Sequence, residues 1–425
     1  MKHVPESIMA NSELGKLILM ACLLLCGPLS AADPASTSEQ GAESPKTYIW
    51  RGDGTGRFVK AAPPTEWDAE AKKNLRWSVK VGASKFTSPI IVGNKVFTVS
   101  DPADLLCIDA ANGTVLWQKT NGFSELATKT EERIPKGSTK NTTPVPVSDG
   151  RFVYVSFGSG IVGCYDLDGT RQWLSFFDGA LTSDFGRSAS PVLAGDKLIV
   201  SIHHMIALDV KTGKVAWVNE QVAEKFGTPV AMTVGGLEIL LAPSGHIVRV
   251  KDGQILGKIP ELQYASPVIN GSIAYFVGTA AKAIEFSANG ADSVTAKELW
   301  TADLEGTFYA SPVIDNGLLF SVSNEGQLYV INAADGKIFT TKDLEILSAN
   351  GHGDTAANMY PSLNIAGPNL YLSNDAGETL VLVPGKEYKE IHKNKLPEGS
   401  GGTPAFAGRC IFVRDGENLF CLGEK

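Results

Sequence analysis

A basic excess is missing from this chain of 425 residues: 38 Lys and Arg stand against 46 Asp and Glu, for a net charge of −8. Nucleic acid favours a basic face, because Lys and Arg neutralise its phosphates. We therefore expect no nucleic-acid partner. The sequence also lacks an apolar run of ~20 residues, the length that a bilayer-spanning helix needs. We therefore expect no transmembrane span.

Cysteine is sparse, with six in the whole chain, and no two are adjacent or stand at metal-ligand spacing. We expect no metal site from them. Cys107, Cys164, Cys410 and Cys421 lie beyond the N-terminal segment. A two-residue hairpin at Asp415-Gly416 would place Cys410 opposite Cys421, and an oxidising compartment would permit a disulfide between them. The alternative is four small buried apolar side chains.

The N-terminus has the pattern of an export signal. An apolar stretch of ten residues, Leu17 to Cys26, precedes the small residues Ser30-Ala31-Ala32. We predict that residues 1–32 are a signal peptide, that the mature chain begins near Asp33, and that the protein is periplasmic or extracellular. Residues 19–22 resemble a lipobox ending at Cys22, but apolar residues continue past it, so a lipid-anchored form is less favoured. The alternative for this stretch is a buried core helix.

One short sequence motif recurs along the rest of the chain. It consists of a small residue, Pro, two or three apolar residues and then residues typical of a tight turn. Its prolines are Pro89, Pro144, Pro191, Pro229, Pro267, Pro312, Pro361 and Pro404. They are 55, 47, 38, 38, 45, 49 and 43 residues apart, which is the size of a propeller blade. The pattern predicts an all-β, eight-bladed propeller of four-stranded antiparallel blades over residues 75–425. We expect the strand at Leu75 to Val79 to close the ring by pairing with the last unit.

The run from Ala207 to Trp217 matches the tryptophan-docking motif of the pyrroloquinoline-quinone (PQQ) repeat family. Cys107 to Trp117 matches it with Cys for the first Ala, and Trp50-Arg51-Gly52, in a lead-in over residues 33–74, resembles secreted members. The chain thus resembles PQQ-like propellers, which include the outer-membrane-protein assembly scaffold and the quinoprotein dehydrogenases. The resemblance implies the fold and implies that each motif Trp packs blade against blade.

The resemblance is less specific about activity. Quinoprotein dehydrogenases hold PQQ against a Trp, cap it with two adjacent bonded cysteines and use calcium beside a catalytic Asp. This sequence has no Cys-Cys pair, and no calcium-ligand set can be carried over. The resemblance therefore favours an exported binding or scaffold protein whose partner is an envelope protein or an anionic small molecule or glycan. A PQQ-dependent dehydrogenase is the alternative, and PQQ is the one cofactor that it suggests.

Long loops are expected on one face of the ring, and loops on a rigid scaffold commonly carry function. Counting back from each Pro places four cations and several aromatics at the channel mouth of that face. They are Lys85, Lys140, Arg187 and Lys225, with Phe86, Tyr264 and Tyr309 among the aromatics. We predict an anion-binding rim with stacking walls. The alternative is solvated cations with the aromatics packed between blades.

A Gly-rich loop between blades, residues 350–354, contains His352 and Asp354. These two are the candidate catalytic residues, as a general base and an orienting carboxylate. The alternative is that both are polar loop residues in water. Three further histidines, His203, His204 and His246, are expected in loops on the same face.

Overall fold

Each Gly- or Asn-containing turn signal joins two short antiparallel strands, because these residues adopt the positive φ that a tight hairpin needs. Val192–Ala194, for example, pairs with Lys197–Ser201 across Gly195, whose φ is +56°. Four such strands form a blade, and eight blades surround a central channel. The computed structural model describes residues 47–84, 86–126, 144–178, 189–262, 264–346 and 358–424. The predicted eight-bladed propeller is confirmed.

Two strands, β1 (Arg57–Phe58) and β2 (Leu75–Lys80), precede the first blade. Blades 1 to 4 consist of β3 (Ile90–Val92), β4 (Lys95–Ser100), β5 (Asp104–Asp109), β6 (Val115–Thr120); β7 (Val147–Ser148), β8 (Phe152–Ser156), β9 (Ile161–Asp166), β10 (Arg171–Phe176); β11 (Val192–Ala194), β12 (Lys197–Ser201), β13 (Met205–Asp209), β14 (Val215–Asn219); and β15 (Val230–Val234), β16 (Leu237–Leu241), β17 (His246–Arg249), β18 (Ile255–Lys258). A short 3-10 helix, Phe123–Glu125, follows β6.

Blades 5 to 8 consist of β19 (Val268–Asn270), β20 (Ile273–Val277), β21 (Ala280–Ala288), β22 (Val294–Asp303); β23 (Val313–Asp315), β24 (Leu318–Val322), β25 (Gln327–Asn332), β26 (Ile338–Asp343); β27 (Asn364–Ala366), β28 (Asn369–Ser373), β29 (Glu378–Leu382), β30 (Glu390–Lys395); and β31 (Ala405–Ala407), β32 (Cys410–Arg414), β33 (Asn418–Gly423). The last blade takes its outermost strand from the start of the chain. β2 pairs antiparallel with β33, with Trp77 opposite Cys421. The predicted ring closure is therefore confirmed.

The outer strands dock each blade onto the next through tryptophan. Five indole N–H groups each donate to a backbone carbonyl of the following blade, at 2.9–3.2 Å. The donors are Trp77, Trp117, Trp173, Trp217 and Trp300. Each ring lies over a turn glycine of that blade, where an added Cβ would come within 2.5–2.9 Å of the ring. Only glycine leaves room for the indole at this point, so the repeated motif packs blade against blade.

Two blades depart from the register that the prolines predict. In blade 2, Val147 pairs with Tyr154, and in blade 3, Val192 pairs with Ile199 in the same way. The residue two positions before this pair is Val145 in blade 2 and Ser190 in blade 3. Val145, and not Thr143, is therefore the structural equivalent of Ser190. In blade 7, Asn364 pairs with Tyr371 in the same way, so Ser362 takes this position. The count from Pro144 and Pro361 is therefore wrong by two residues, because those prolines precede the position that the other blades fill with proline.

The hairpin expected at Asp415-Gly416 also has a different register. Its loop holds four residues, and Arg414 pairs with Leu419 across it. Cys421 consequently faces Phe412, and Cys410 faces Gly423, so the two cysteines are diagonal neighbours. Their side chains nevertheless lie within hydrogen-bond contact of each other. Both are buried free thiols in this structure, and a disulfide between Cys410 and Cys421 stays a prediction.

Within the described ranges, no helix is long and apolar enough to cross a membrane.

Candidate functional site

A belt of hydroxyl groups surrounds the channel at the start of the innermost strands. In each link, the backbone N–H of one blade donates to the side-chain hydroxyl oxygen of the next blade, at 2.8–3.0 Å. The accepting residues, in chain order, are Ser88, Ser190, Thr228, Ser266, Ser311, Ser362 and Thr403. Blade 2 has Val145 at this position, and a longer contact from Thr87 Oγ1 to Pro144 O, at 3.5 Å, joins blades 1 and 2. The belt therefore fixes the residue that lies two positions before each inner strand in seven of the blades.

Above the belt lies an arc of five aromatic side chains that touch in succession. Their ring centroids are 5.6 Å apart for Phe226 and Tyr264, 4.7 Å for Tyr264 and Tyr309, and 5.1 Å for Tyr309 and Tyr360. Phe86 completes the arc against Tyr360 at 5.4 Å with the rings nearly perpendicular. All five are half-buried, and all five line the cavity at the channel mouth.

Blade 8 contributes to the arc by having no side chain. It has Gly401 at the aromatic position, and an added Cβ there would lie 2.2 Å from a ring carbon of Phe86. The ring of Phe86, from blade 1, therefore crosses the place of blade 8 to reach Tyr360 in blade 7. The sequence prediction located the aromatic position by counting three residues back from the proline of each blade. In blade 7 the equivalent of that proline is Leu363, so the correct residue is Tyr360. The count from Pro361 gives Asn358 instead. Asn358 bonds Asp375 through its backbone N–H (2.7 Å).

The lead-in segment also contributes to this site. Tyr48 exchanges two backbone hydrogen bonds with Ser148 in blade 2, and β1 pairs in parallel with β27 in blade 7. The chain between these points brings Trp50 to the cavity wall. Arg51 anchors it, because its buried Nη2 donates to Pro312 O (2.7 Å) and Leu363 O (2.8 Å) of two neighbouring blades. Burial lowers the pKa of Arg51 to about 9, and the nearby Asp53 opposes that shift.

Together these groups line one cavity of about 460 Å³, within the range of about 300–1,000 Å³ typical of small-molecule sites. We call it the cup. The oxygen of each belt hydroxyl already accepts an N–H, and no described residue takes the hydroxyl hydrogen. The cup can therefore offer a ring of donors to a ligand. Burial, with smaller contributions from neighbouring side chains, raises the pKa of Tyr309 and of Tyr360, so both phenols stay neutral.

The structure brings together four of the predicted site residues: Phe86, Lys225, Tyr264 and Tyr309 all line the cup. The Nζ of Lys225 lies 4.9 Å from the ring centroid of Phe226, at the exposed edge of the arc. Whether these residues bind a ligand stays a prediction. Lys85, Lys140 and Arg187 lie outside the described residues, as do His352 and Asp354. His203 and His204 contact each other, with ring centroids 4.4 Å apart.

The family model described as the outer membrane protein assembly factor BamB matches residues 60–134, 124–339 and 265–384. The chain belongs to this family. BamB of Yersinia pestis is 24% identical over 269 residues, which is 60% of this chain and 62% of that protein. A polyvinylalcohol dehydrogenase of Sphingopyxis sp. is 24% identical over 225 residues, covering 47% of this chain and 32% of the enzyme. The chain thus matches less than two thirds of the length of either relative.

A solved structure of BamB from Moraxella catarrhalis has a TM-score of 0.58 to this chain, at 12% sequence identity. The match covers 82% of this chain and 98% of that one. At this identity the likeness shows the fold and no more.

The cup fits part of what PQQ would need. Aromatic walls, hydroxyl donors and Lys225 suit a planar molecule with several carboxylates, and Trp50 provides an indole from outside the repeats. Calcium, which the resemblance pairs with PQQ, needs a set of oxygen ligands rich in carboxylates. Across the described ranges, no three His, Cys, Asp or Glu side chains gather as a metal site requires. The described residues therefore fit the planar anion, and no calcium-ligand set is found among them.

Proposed function

We propose that this protein is an exported binding protein of the cell envelope. Its cup, on the long-loop side of the channel, takes a planar or ring-shaped anion that is rich in hydrogen-bond acceptors. The observation that carries the proposal is the arc of five touching aromatics directly above a belt of hydroxyl donors. A pair of stacked rings contributes about 0.5–1.5 kcal/mol beyond buried area, so several rings together supply useful affinity.

Charge supports an anionic ligand. Lys225 stands at the rim of a chain whose net charge is −8, where a local cation draws an anion toward the cup. Below it, hydroxyl donors pair with carboxylate or carbonyl oxygens, and the two neutral tyrosine phenols are further donors. An acidic sugar meets the same description as an aromatic carboxylate, because sugar faces also stack on aromatic rings.

Calorimetric titration with PQQ as a planar tricarboxylate, and with an oligogalacturonate as an acidic sugar, tests the binding proposal. We expect saturable 1:1 binding of one of them by the wild type and at least about tenfold weaker binding by Tyr309→Ala, since one lost stacking contact is worth about 1.4 kcal/mol. Trp217→Phe, which changes only an outer docking contact, is the matched control. Equal affinity of wild type and Tyr309→Ala for the probe would contradict the proposal.

We also propose that residues 1–32 direct export and are removed. The name of the Yersinia pestis relative, an outer membrane assembly factor, supports an envelope location. N-terminal sequencing of the protein from a periplasmic fraction should give a start near Asp33. A blocked, acylated N-terminus at Cys22 would instead support the lipid-anchored form, and an intact Met1 in the cytoplasmic fraction would contradict export.

The family match favours a second candidate function, a scaffold that contacts an envelope protein through the loops around the cup. Affinity purification from cross-linked envelopes tests it, with Tyr264→Ala and Tyr360→Ala as cup variants. A scaffold would retain an envelope protein that these variants lose, whereas a small-molecule binding protein would co-purify none.

The similarity to a polyvinylalcohol dehydrogenase keeps a PQQ-dependent dehydrogenase as the alternative. A redox-dye assay with added PQQ, calcium and polyvinyl alcohol distinguishes the two. Under the binding proposal the dye stays oxidised even when PQQ is bound. Dye reduction that depends on all three additions would make the protein an enzyme.

A further inference from the structure

The segment between β14 and β15 carries Lys225 and Phe226 to the cup, and it is anchored on both sides of them. Val222 O accepts a hydrogen bond from Met205 N (2.7 Å), and Thr228 belongs to the hydroxyl belt. Between these anchors, the side chain of Glu224 points inward and the residue is only 3% exposed. A glutamate is rarely buried without partners, because removing its charge from water is costly.

The partner of Glu224 is Ser244, in the turn between β16 and β17. The backbone N–H of Ser244 donates to both carboxylate oxygens, at 3.3 and 3.2 Å, and its hydroxyl donates to Oε1. Burial raises the pKa of Glu224, while the two hydrogen bonds from Ser244 oppose that shift. The carboxylate is thus held by neutral donors at one defined place.

His246 orients the hydroxyl that Glu224 depends on. Its Nδ1 lies 2.9 Å from Ser244 Oγ. This is hydrogen-bond distance, and the tautomer of His246 sets which of the two atoms donates. The three side chains form a relay from His246 through Ser244 to Glu224.

The turn that contains Ser244 contacts both neighbouring rim segments. Pro243 O accepts from Leu262 N (2.7 Å), two residues before Tyr264. An added Cβ on Gly227 would lie 2.7 Å from Pro243 Cγ, so the segment that follows Phe226 also packs tightly on this turn. The turn therefore supports adjacent members of the aromatic arc.

We propose that Glu224 is a positioning residue of the cup: through Ser244, which His246 orients, it sets where Lys225 and Phe226 stand at the rim. The inference rests on the proposed function for its ligand, but the placement of the segment can be measured without one. Glu224 touches no ligand in this scheme and acts only through its neighbours.

Hydrogen exchange of the free, full-length protein tests the placement. In Glu224→Ala, amide hydrogens of residues 222–228 should exchange at least about tenfold faster, as expected when a tether worth roughly 1.4 kcal/mol is lost. Glu224→Gln should restore most of the protection, because its amide oxygen still accepts from Ser244. Glu220→Ala, an exposed glutamate in the same segment, is the matched control and should exchange like the wild type.

A double-mutant cycle with PQQ as the probe tests the role in binding. Glu224→Ala should weaken PQQ binding about as much as Lys225→Gln does, roughly tenfold, and the double variant should be little weaker than either single one. A merely structural role would give additive losses and no rescue by Glu224→Gln. Unchanged exchange at residues 222–228 in Glu224→Ala, or additive losses, would overturn the inference.

The two proposals fail in different ways. If the wild type binds no PQQ, the exchange result still decides the role of Glu224 in placing the segment. If the wild type binds PQQ and Glu224→Ala binds it equally well, the cup stands and the positioning role is refuted.

Discussion

Two rings of side chains surround the same channel axis, and they repeat in different ways. On the outer strands, Trp77, Trp117, Trp173, Trp217 and Trp300 make the same contact each time, an indole over a glycine. At the mouth of the cup, one position carries an aromatic residue in five blades and Gly401 in another. The outer contact recurs at five of the eight blade junctions, because the same packing geometry is repeated there. The residues at the mouth of the cup differ from blade to blade, because each blade contributes a different part of one shared cavity.

A third ring, the hydroxyl belt, repeats like the outer ring but faces the cup. Ser or Thr occupies it in seven blades, because each oxygen must accept the N–H of the preceding blade. The comparison therefore predicts that outer substitutions cost stability, arc substitutions cost binding, and belt substitutions cost both.

The largest expected effect is at the outer ring. Trp217→Ala should lower the free energy of unfolding by about 3–5 kcal/mol, because a buried indole is lost and its docking site left empty. Urea unfolding measures this, and calorimetry below the transition should find PQQ affinity unchanged. A variant as stable as the wild type would show that the indole contact does not stabilise the ring.

An intermediate effect is expected at the belt. Ser311→Ala removes the acceptor of Ser266 N and should cost about 1–3 kcal/mol of unfolding free energy, the penalty for a buried unpaired donor. Ser311→Thr keeps the hydroxyl, as blades 4 and 8 do naturally, and should recover most of the loss. Equal stability of the Ala and Thr variants would show that the hydroxyl is not the stabilising group.

A smaller effect on stability is expected at the rim. Lys225→Gln should leave the urea midpoint within error, because an exposed cation contributes little to folding. Its affinity for PQQ should fall about tenfold at low salt and less at high salt, where charges are screened. Lys211→Gln, an exposed lysine on an outer turn, is the control, and an equal loss there would contradict a specific role for Lys225.

The smallest effect concerns pH. Burial raises the pKa of Tyr309 and Tyr360 above that of an unfolded tyrosine, so the folded state keeps these protons longer. Their contribution to stability is therefore complete below about pH 10 and is lost as the pH rises through the folded pKa values. Stability above pH 10 should fall more steeply in the wild type than in Tyr309→Phe/Tyr360→Phe. Parallel curves would show that these phenols do not titrate differently on unfolding.

The sequence predicted the outer ring of tryptophans better than it predicted the residues of the cup. The docking of Trp217 was predictable, because the motif from Ala207 to Trp217 is local and complete. Tyr360 was not, because Leu363 stands where other blades have proline and nothing in the sequence marks the shift. Trp50 was missed as a cup residue because it lies outside the repeats and reaches the cavity through tertiary contacts alone. A sequence repeat predicts the contacts that recur in each blade. A site that occurs once in the ring is seen only in the folded structure.

The predicted register that places Cys410 opposite Cys421 is wrong for a related reason. The signal Asp415-Gly416 suits a two-residue turn, but Asn418 N bonds Asp415 Oδ1 (2.9 Å) and closes a four-residue loop. Because the loop has four residues and not two, the residue opposite Cys410 is Gly423 and not Cys421. The dipeptide Asp415-Gly416 alone does not determine the loop length, because the hydrogen bond from Asn418 to the Asp415 side chain also contributes.

Native mass spectrometry of the protein purified from its own envelope fraction tests the cup most directly. The wild type should carry a small anionic molecule of one defined mass, which solvent extraction releases. Tyr309→Ala/Tyr360→Ala should be folded and should lack that mass. The same bound mass on both proteins would contradict the account.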